Sequence, residues 1–154
     1  MQPLEHSQLS EQTNVRQSPE RRVQRAIKIS VFFNKKESID HDSFFRHWET
    51  IHADLVVATQ AFRNNIVRYA QHYQTPEMKE MARSLGEGVL EYDACAQLWV
   101  NTWDDWLAFS NSPEYTTALA DDCKNFMTLP MTYMIGYETV VVGEDYGGVS
   151  EEAI

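Results

Sequence analysis

Four short runs rich in β-branched and aromatic residues alternate with two helical stretches in one fixed order, and that order restricts the fold more than anything else in the chain. The runs lie at 27–33 (IKISVFF), 66–73 (IVRYAQHY), 94–100 (ACAQLWV) and 132–142 (TYMIGYETVVV). Between the first two, Asp40 or Asp42 caps a helix that extends to about Phe62. Between the last two, Thr102 and Asp105 form a capping box for a helix through about Ser110. Ser112-Pro113-Glu114 then restarts it as cap, first-turn proline and acid, and it runs to about Phe126. A long connection, 74–92, separates the halves, with a turn or two of helix over 76–85 and Gly86 just after. The order β-α-β, connection, β-α-β is the split βαβ pattern: an α+β, ferredoxin-like protomer whose antiparallel sheet carries both main helices on one face.

That arrangement leaves one sheet face without a helix of its own. The strands are apolar at both parities, with Leu98 at one and Trp99 at the other. Something must bury the second face, and another copy of the chain is the simplest cover, so a homodimer is expected. The alternative cover is the polar stretch 1–24, which lacks apolar periodicity and reads as a flexible arm. The domain is expected over 25–143, with an acidic, glycine-containing tail at 144–154.

Charge limits the partners. A formal net charge of −10 argues against nucleic acid and against an anionic membrane surface, both of which are held by clustered Lys and Arg. Cys95 and Cys123 form neither a CxxC pair nor a Cys/His cluster, no signal-peptide pattern opens the chain, and no apolar run has the length of a membrane span. A cytoplasmic protein is expected. Dinucleotide, Walker, zincin, nucleophile-elbow and EF-hand motifs are all missing, so no metal and no cofactor are expected. The aromatic content, 12%, suits a lined pocket or a plain aromatic core.

The first helix holds the main chemical candidate. At about 100° per residue, Phe45, Trp48, His52 and Val56 share a narrow arc, with Phe44, Ile51 and Leu55 extending it. On the same count Arg46, His47, Thr50 and Asp54 face water. A histidine inside an apolar stripe needs a hydrogen-bond partner, and it titrates where proton transfer is useful. A core histidine bonded to a backbone carbonyl is the plain alternative. In the second strand Arg68, Ala70 and His72 alternate with Tyr69, Gln71 and Tyr73, and the residues alone leave open which set meets the helices. Lys28 and Ser30 share a face of the first strand, and Gln97, Trp99 and Asn101 share one of the third. Polar groups beside Trp suit a lined cavity or a half-wet sheet edge. Asp93, just before the third strand, can cap a turn or aim a histidine.

The runs FFRHWETIHADL, IVRYAQHY, EYDACAQLWVNTWDDW and SPEY, with QTPEMKEMARSLG between them, resemble the EthD-domain family. More narrowly they resemble its fungal members of polyketide pathways, decarboxylases or dehydratases, over about residues 27–142. The resemblance implies a dimeric α+β barrel with a pocket between sheet and helices. It carries over His52, His72 and Asp93 as matching positions, with Tyr69 and Trp99 as neighbours. The function then expected is a cofactor-independent lyase acting on an aromatic polyketide carboxylic acid. His52 would be the acid/base, His72 and Tyr69 would polarise a carbonyl, and Asp93 would orient a histidine. Trp48, Trp99, Gln97, Lys28 and Phe45 would contact the substrate, and the 74–92 connection would act as a lid. A cofactor-free anthrone-type oxygenase, a polyketide cyclase and a non-catalytic small-molecule carrier or dimeric partner protein are the alternatives on the same scaffold.

Overall fold

The computed structural model describes residues 26–143, so the arm expected at 1–24 and the tail expected at 144–154 lie outside the described residues. The strands are β1 (Ala26–Lys35), β2 (Arg68–Tyr73), β3 (Ala94–Val100) and β4 (Met127–Glu138). They form one antiparallel sheet in the order β2-β3-β1-β4. Registers such as Ile29↔Leu98 and Tyr69↔Leu98 fix which residues share a face, because paired residues across a ladder point the same way. The fold is α+β and ferredoxin-like.

The last strand starts earlier than expected, at Met127 directly after the helix ending at Phe126, and it contains Pro130. A proline reads as a strand breaker, but β4 is an edge strand and can spare that donor. The first helical region is also not one regular helix. It consists of α1 (His41–His47), a π-helical segment (Trp48–His52) and α2 (Ala53–Ala58); after a break at Thr59 comes α3 (Gln60–Asn65). Asp40 caps α1 by accepting from the Ser43 amide, and Thr59 caps α3 through Phe62. Glu114 ties α3 to the second helical region by accepting from the Gln60 and Ala61 amides. After β2 comes α4 (Pro76–Arg83). The second βαβ half holds α5 (Trp103–Ser110) with the expected Thr102/Asp105 box, a second π-helical segment (Tyr115–Leu119) and α6 (Ala120–Phe126).

Packing occurs in two connected clusters between sheet and helices. Ile29, Val31, Leu98 and Val100 meet Val56, Trp106, Phe109 and Leu119 in one. Phe33 meets Phe44, Trp48 and Phe126 edge-on in the other, with ring centroids 5.2–6.3 Å apart. Each fully buried ring of this kind contributes about 1.5–3 kcal/mol by leaving water, plus the aromatic pairing.

Candidate active site

A cavity of about 180 Å³ lies between the two clusters, under the helices. Trp48, Trp106, Phe109 and Tyr115 supply flat aromatic surface, Val31 and Leu98 line it from the sheet, and Met127, Leu129 and Met131 line it from β4. Polar lining comes from His52, Tyr69, Cys123 and Lys124, together with the Tyr115 hydroxyl. A mostly apolar concavity with a few convergent polar groups is what a small organic ligand needs.

His52 sits at the end of the first π-helical segment and is 8% exposed. Its Nδ1 lies 2.8 Å from Oδ2 of Asp122, a carboxylate on α6 that is itself 7% exposed. Asp122 also accepts from Nε2 of His47, at 2.9 and 3.1 Å, and from Nδ2 of Asn125 at 3.1 Å. Burial opposes ionisation of Asp122, but the bonds from His52, Asn125 and His47 outweigh it and hold the carboxyl below its ordinary range. Burial likewise dominates at His52. The bond to Asp122 offsets only part of it, so the imidazole stays below its ordinary value and is neutral near pH 7. An ionised carboxylate at Nδ1 selects the tautomer with the proton on Nδ1, which leaves the lone pair on Nε2. No described side chain bonds that nitrogen.

Tyr69 completes the polar part of the wall. Gln71 Nε2 donates to the Tyr69 hydroxyl oxygen at 2.9 Å and also to the carbonyl of Trp48 at 2.9 Å. Burial pushes the phenol up to about 12, with hydrogen bonds from Gln71 and Trp48 opposing the shift. The hydroxyl therefore keeps its proton at neutral pH and is a donor. Cys123 is pushed up to about 11 by burial, reinforced by the charge of Asp122, so it lines the cavity as a thiol and not as a nucleophile.

The expected site residues divide by sheet face. His52, Trp48 and Tyr69 come together on this cavity. His72 does not: β2 parity puts it on the opposite face, exposed, beside Phe32, Tyr92 and Cys95. Trp99, Gln97 and Lys28 are on that opposite face too. Trp99 is buried there beneath Arg68 and Lys28, whose cationic groups lie 4.4 and 5.0 Å from its ring, and its indole donates to Glu138. Lys28 pairs with Glu138 at 3.0 Å. Asp93 meets no histidine. It accepts from the Lys35 amide and from Lys79 Nζ at 2.7 Å, and so anchors α4 to the sheet. Phe45 packs on Tyr73, 4.5 Å between centroids, outside the cavity lining. No residue of 74–92 lines the cavity, so that connection is not its lid.

Two residues of the site were not anticipated. His47 counts as water-facing on a uniform helix, yet it bonds Asp122, while Ile51 and Leu55, expected inside, are exposed. The cause is the π-helical segment: a turn closed i to i+5 winds less per residue, so His47 and His52, five apart, come to one side. The second π-helical segment immediately precedes α6, the helix that carries Asp122. In the sequence Asp122 is one member of an ordinary Asp-Asp pair. Both π-helical segments border the site, a common location for such turns.

The sequence profile of the EthD domain matches residues 36–130. The chain belongs to the EthD-domain family. A dehydratase of Pestalotiopsis fici, iacD, is 27% identical to this EthD-domain protein over 126 residues, 77% of this chain and 90% of that protein. Among solved structures, an EthD-family protein of Bacillus halodurans aligns with a TM-score of 0.51 at 16% identity, covering 74% of this chain and 99% of that one. A dimeric ferredoxin-like protein of Thermobifida fusca aligns at 0.50 and 17% identity, covering 74% and 92%. At these identities the solved structures speak to the fold of the EthD-domain chain alone. No helix among the described residues is long and apolar enough to cross a membrane.

Proposed function

We propose that this protein is a cofactor-independent lyase, a dehydratase or decarboxylase, acting on an aromatic polyketide carboxylic acid in secondary metabolism by histidine acid/base catalysis. The observation that carries the reading is His52, held at Nδ1 by Asp122, on the wall of an aromatic cavity. The similarity to a protein named a dehydratase supports the reaction class. In dehydration, His52 Nε2 takes a proton from the carbon beside a ketone, Tyr69 donates to the developing enolate oxygen, and the imidazolium returns the proton to the departing hydroxyl. In decarboxylation, His52 Nε2 first takes the proton of the substrate's carboxyl group; the electron pair left as CO2 departs is held as the same enolate, and His52 then returns that proton to the carbon. Trp48 and Phe109 offer flat surface to an aromatic substrate. Lys124, the only Lys or Arg among the lining residues, is exposed at the cavity's edge, with its ammonium 3.5 Å from Asp121.

The test is turnover of a β-hydroxy ketone and of a β-keto acid on an aromatic polyketide frame, with products resolved by mass. His52→Ala should fold and lose turnover by about 10²–10⁴. Full activity of that variant would end the assignment.

The same reading includes a homodimer. On the helix-free face Met134 is 69% exposed, and fold neighbours of Bacteroides fragilis and Thermobifida fusca are described as dimeric. A second copy over that face would cover Met134 and the Arg68–Trp99–Lys28 stack. Met134→Glu should shift the sedimentation coefficient from dimer to monomer, and a wild-type monomer would refute it.

A further inference from the structure

Asp122 serves two imidazoles with one negative charge. His52 Nδ1 lies 2.8 Å from Oδ2, and His47 Nε2 lies 2.9 Å from Oδ1 and 3.1 Å from Oδ2. Both rings rest on Phe126, each 4.9 Å from its centroid. With both rings neutral the trio carries one negative charge, and with one imidazolium it is neutral. With two it carries a positive charge against an aromatic wall, and the second cation meets a carboxylate already compensated. The rings also differ in access to water: the His47 side chain is 22% exposed and that of His52 10%. A charge costs less desolvation on the outer ring.

The neighbouring groups do not alter this balance. From β2 comes Tyr69, from the second π-helical segment Tyr115, and from α6 Cys123 and Lys124. Burial raises Tyr69, Tyr115 and Cys123, so these three stay uncharged near neutrality. Lys124 is exposed and directed to Asp121 at the surface, 3.5 Å away.

We propose that His47 is a positioning residue that holds the compensating proton on the solvent side of Asp122, keeps His52 uncharged toward the cavity, and releases that proton to water when His52 takes one from a bound substrate. The step balances. A proton leaves the substrate and its electron pair stays there; the proton joins His52 Nε2; another leaves His47 for solvent; and the trio keeps its net charge. His47 thus keeps the charge of the cavity wall constant, and it takes a proton back from water when His52 returns its own to the substrate. The inference rests on the reading of His52 as the base, but the coupling itself is measurable without substrate.

The experiment is an NMR titration of the full chain with ring-labelled histidine, following His47 and His52 in the wild type and in His47→Gln. Gln retains a donor to Asp122 and cannot be charged. The His52 midpoint should rise by about one pH unit in the variant, with the acid limb of kcat/KM moving equally. An unmoved His52 curve overturns the proposal. Should the variant fail to give a folded amide spectrum, the wild type decides. Each ring should then show a two-step curve whose second step tracks the other ring, and two independent single-step curves overturn the coupling. A shifted His52 midpoint alongside full turnover in His52→Ala would sink the enzyme reading and leave the coupling standing.

Discussion

Removing the carboxylate at 122 is the sharpest structural perturbation. Asp122→Ala deletes the acceptor of three donors: His52 Nδ1, His47 Nε2 and Asn125 Nδ2. A hydrogen bond to a charged group contributes about 1.5–3 kcal/mol, and a buried donor left unsatisfied stands at the costly end. His52 is buried, so its bond counts for about 2 kcal/mol, whereas water replaces much of what the partly buried His47 and exposed Asn125 lose, about 0.5–1 kcal/mol each. The variant should therefore lose about 3–4 kcal/mol in urea unfolding at neutral pH, a fall in Tm of roughly 10–15 °C for a domain of this size. Asp122→Asn keeps the shape and one acceptor oxygen, so it should lose about half as much stability. Its amide can nevertheless donate to Nδ1 and invert the His52 tautomer, so kcat should drop on the order of 10³. An Ala variant within about 0.5 kcal/mol of wild type would refute the idea that this carboxylate organises the site.

Other consequences are equally open to measurement. Ala96 points from β3 into the cavity, so Ala96→Phe should abolish turnover while leaving Tm equal or higher by scanning calorimetry; unchanged KM and kcat would place the ligand elsewhere. Trp99 lies on the opposite sheet face, so Trp99→Ala should cost about 3–5 kcal/mol while the folded fraction keeps its kcat; selective loss of kcat would contradict the placement. The folded chain holds His52 below 6.5 and Asp122 below 3.8, so in each window the unfolded chain binds a proton that the folded one refuses. Stability should be full above pH 6.5 and fall with pH, first beneath 6.5 and then beneath 3.8. Activity should likewise rise with pH to a plateau whose midpoint lies below 6.5, and a bell centred on a charged His52 would reverse the assigned role.

Much of the architecture was legible in the sequence because it depends on local chemistry. Strand β3 occupies Ala94–Val100 as read, and Thr102/Asp105 caps α5 as read, since β-branched runs and capping residues act within a few positions. The start of β4 was hidden by Pro130, whose missing donor matters only if the strand is central, a property of topology. Parity identified the alternating sets on β2 but not which one faced the helices, and that choice separates Tyr69 from His72. His52 was found because an apolar stripe surrounds it. His47 and Asp122 were not, because a constant rotation per residue cannot anticipate a π-helical turn, and because their meeting spans 75 residues of chain.

The central claim concerns one ring nitrogen, and ¹⁵N chemical shifts of labelled His52 at neutral pH address it directly. The account requires Nδ1 to carry the proton, Nε2 to show the shift of a bare lone pair, and the Nε2 signal to move when a flat phenolic acid fills the cavity. A proton on Nε2 with an unprotonated Nδ1, or a signal indifferent to every such ligand, would contradict it.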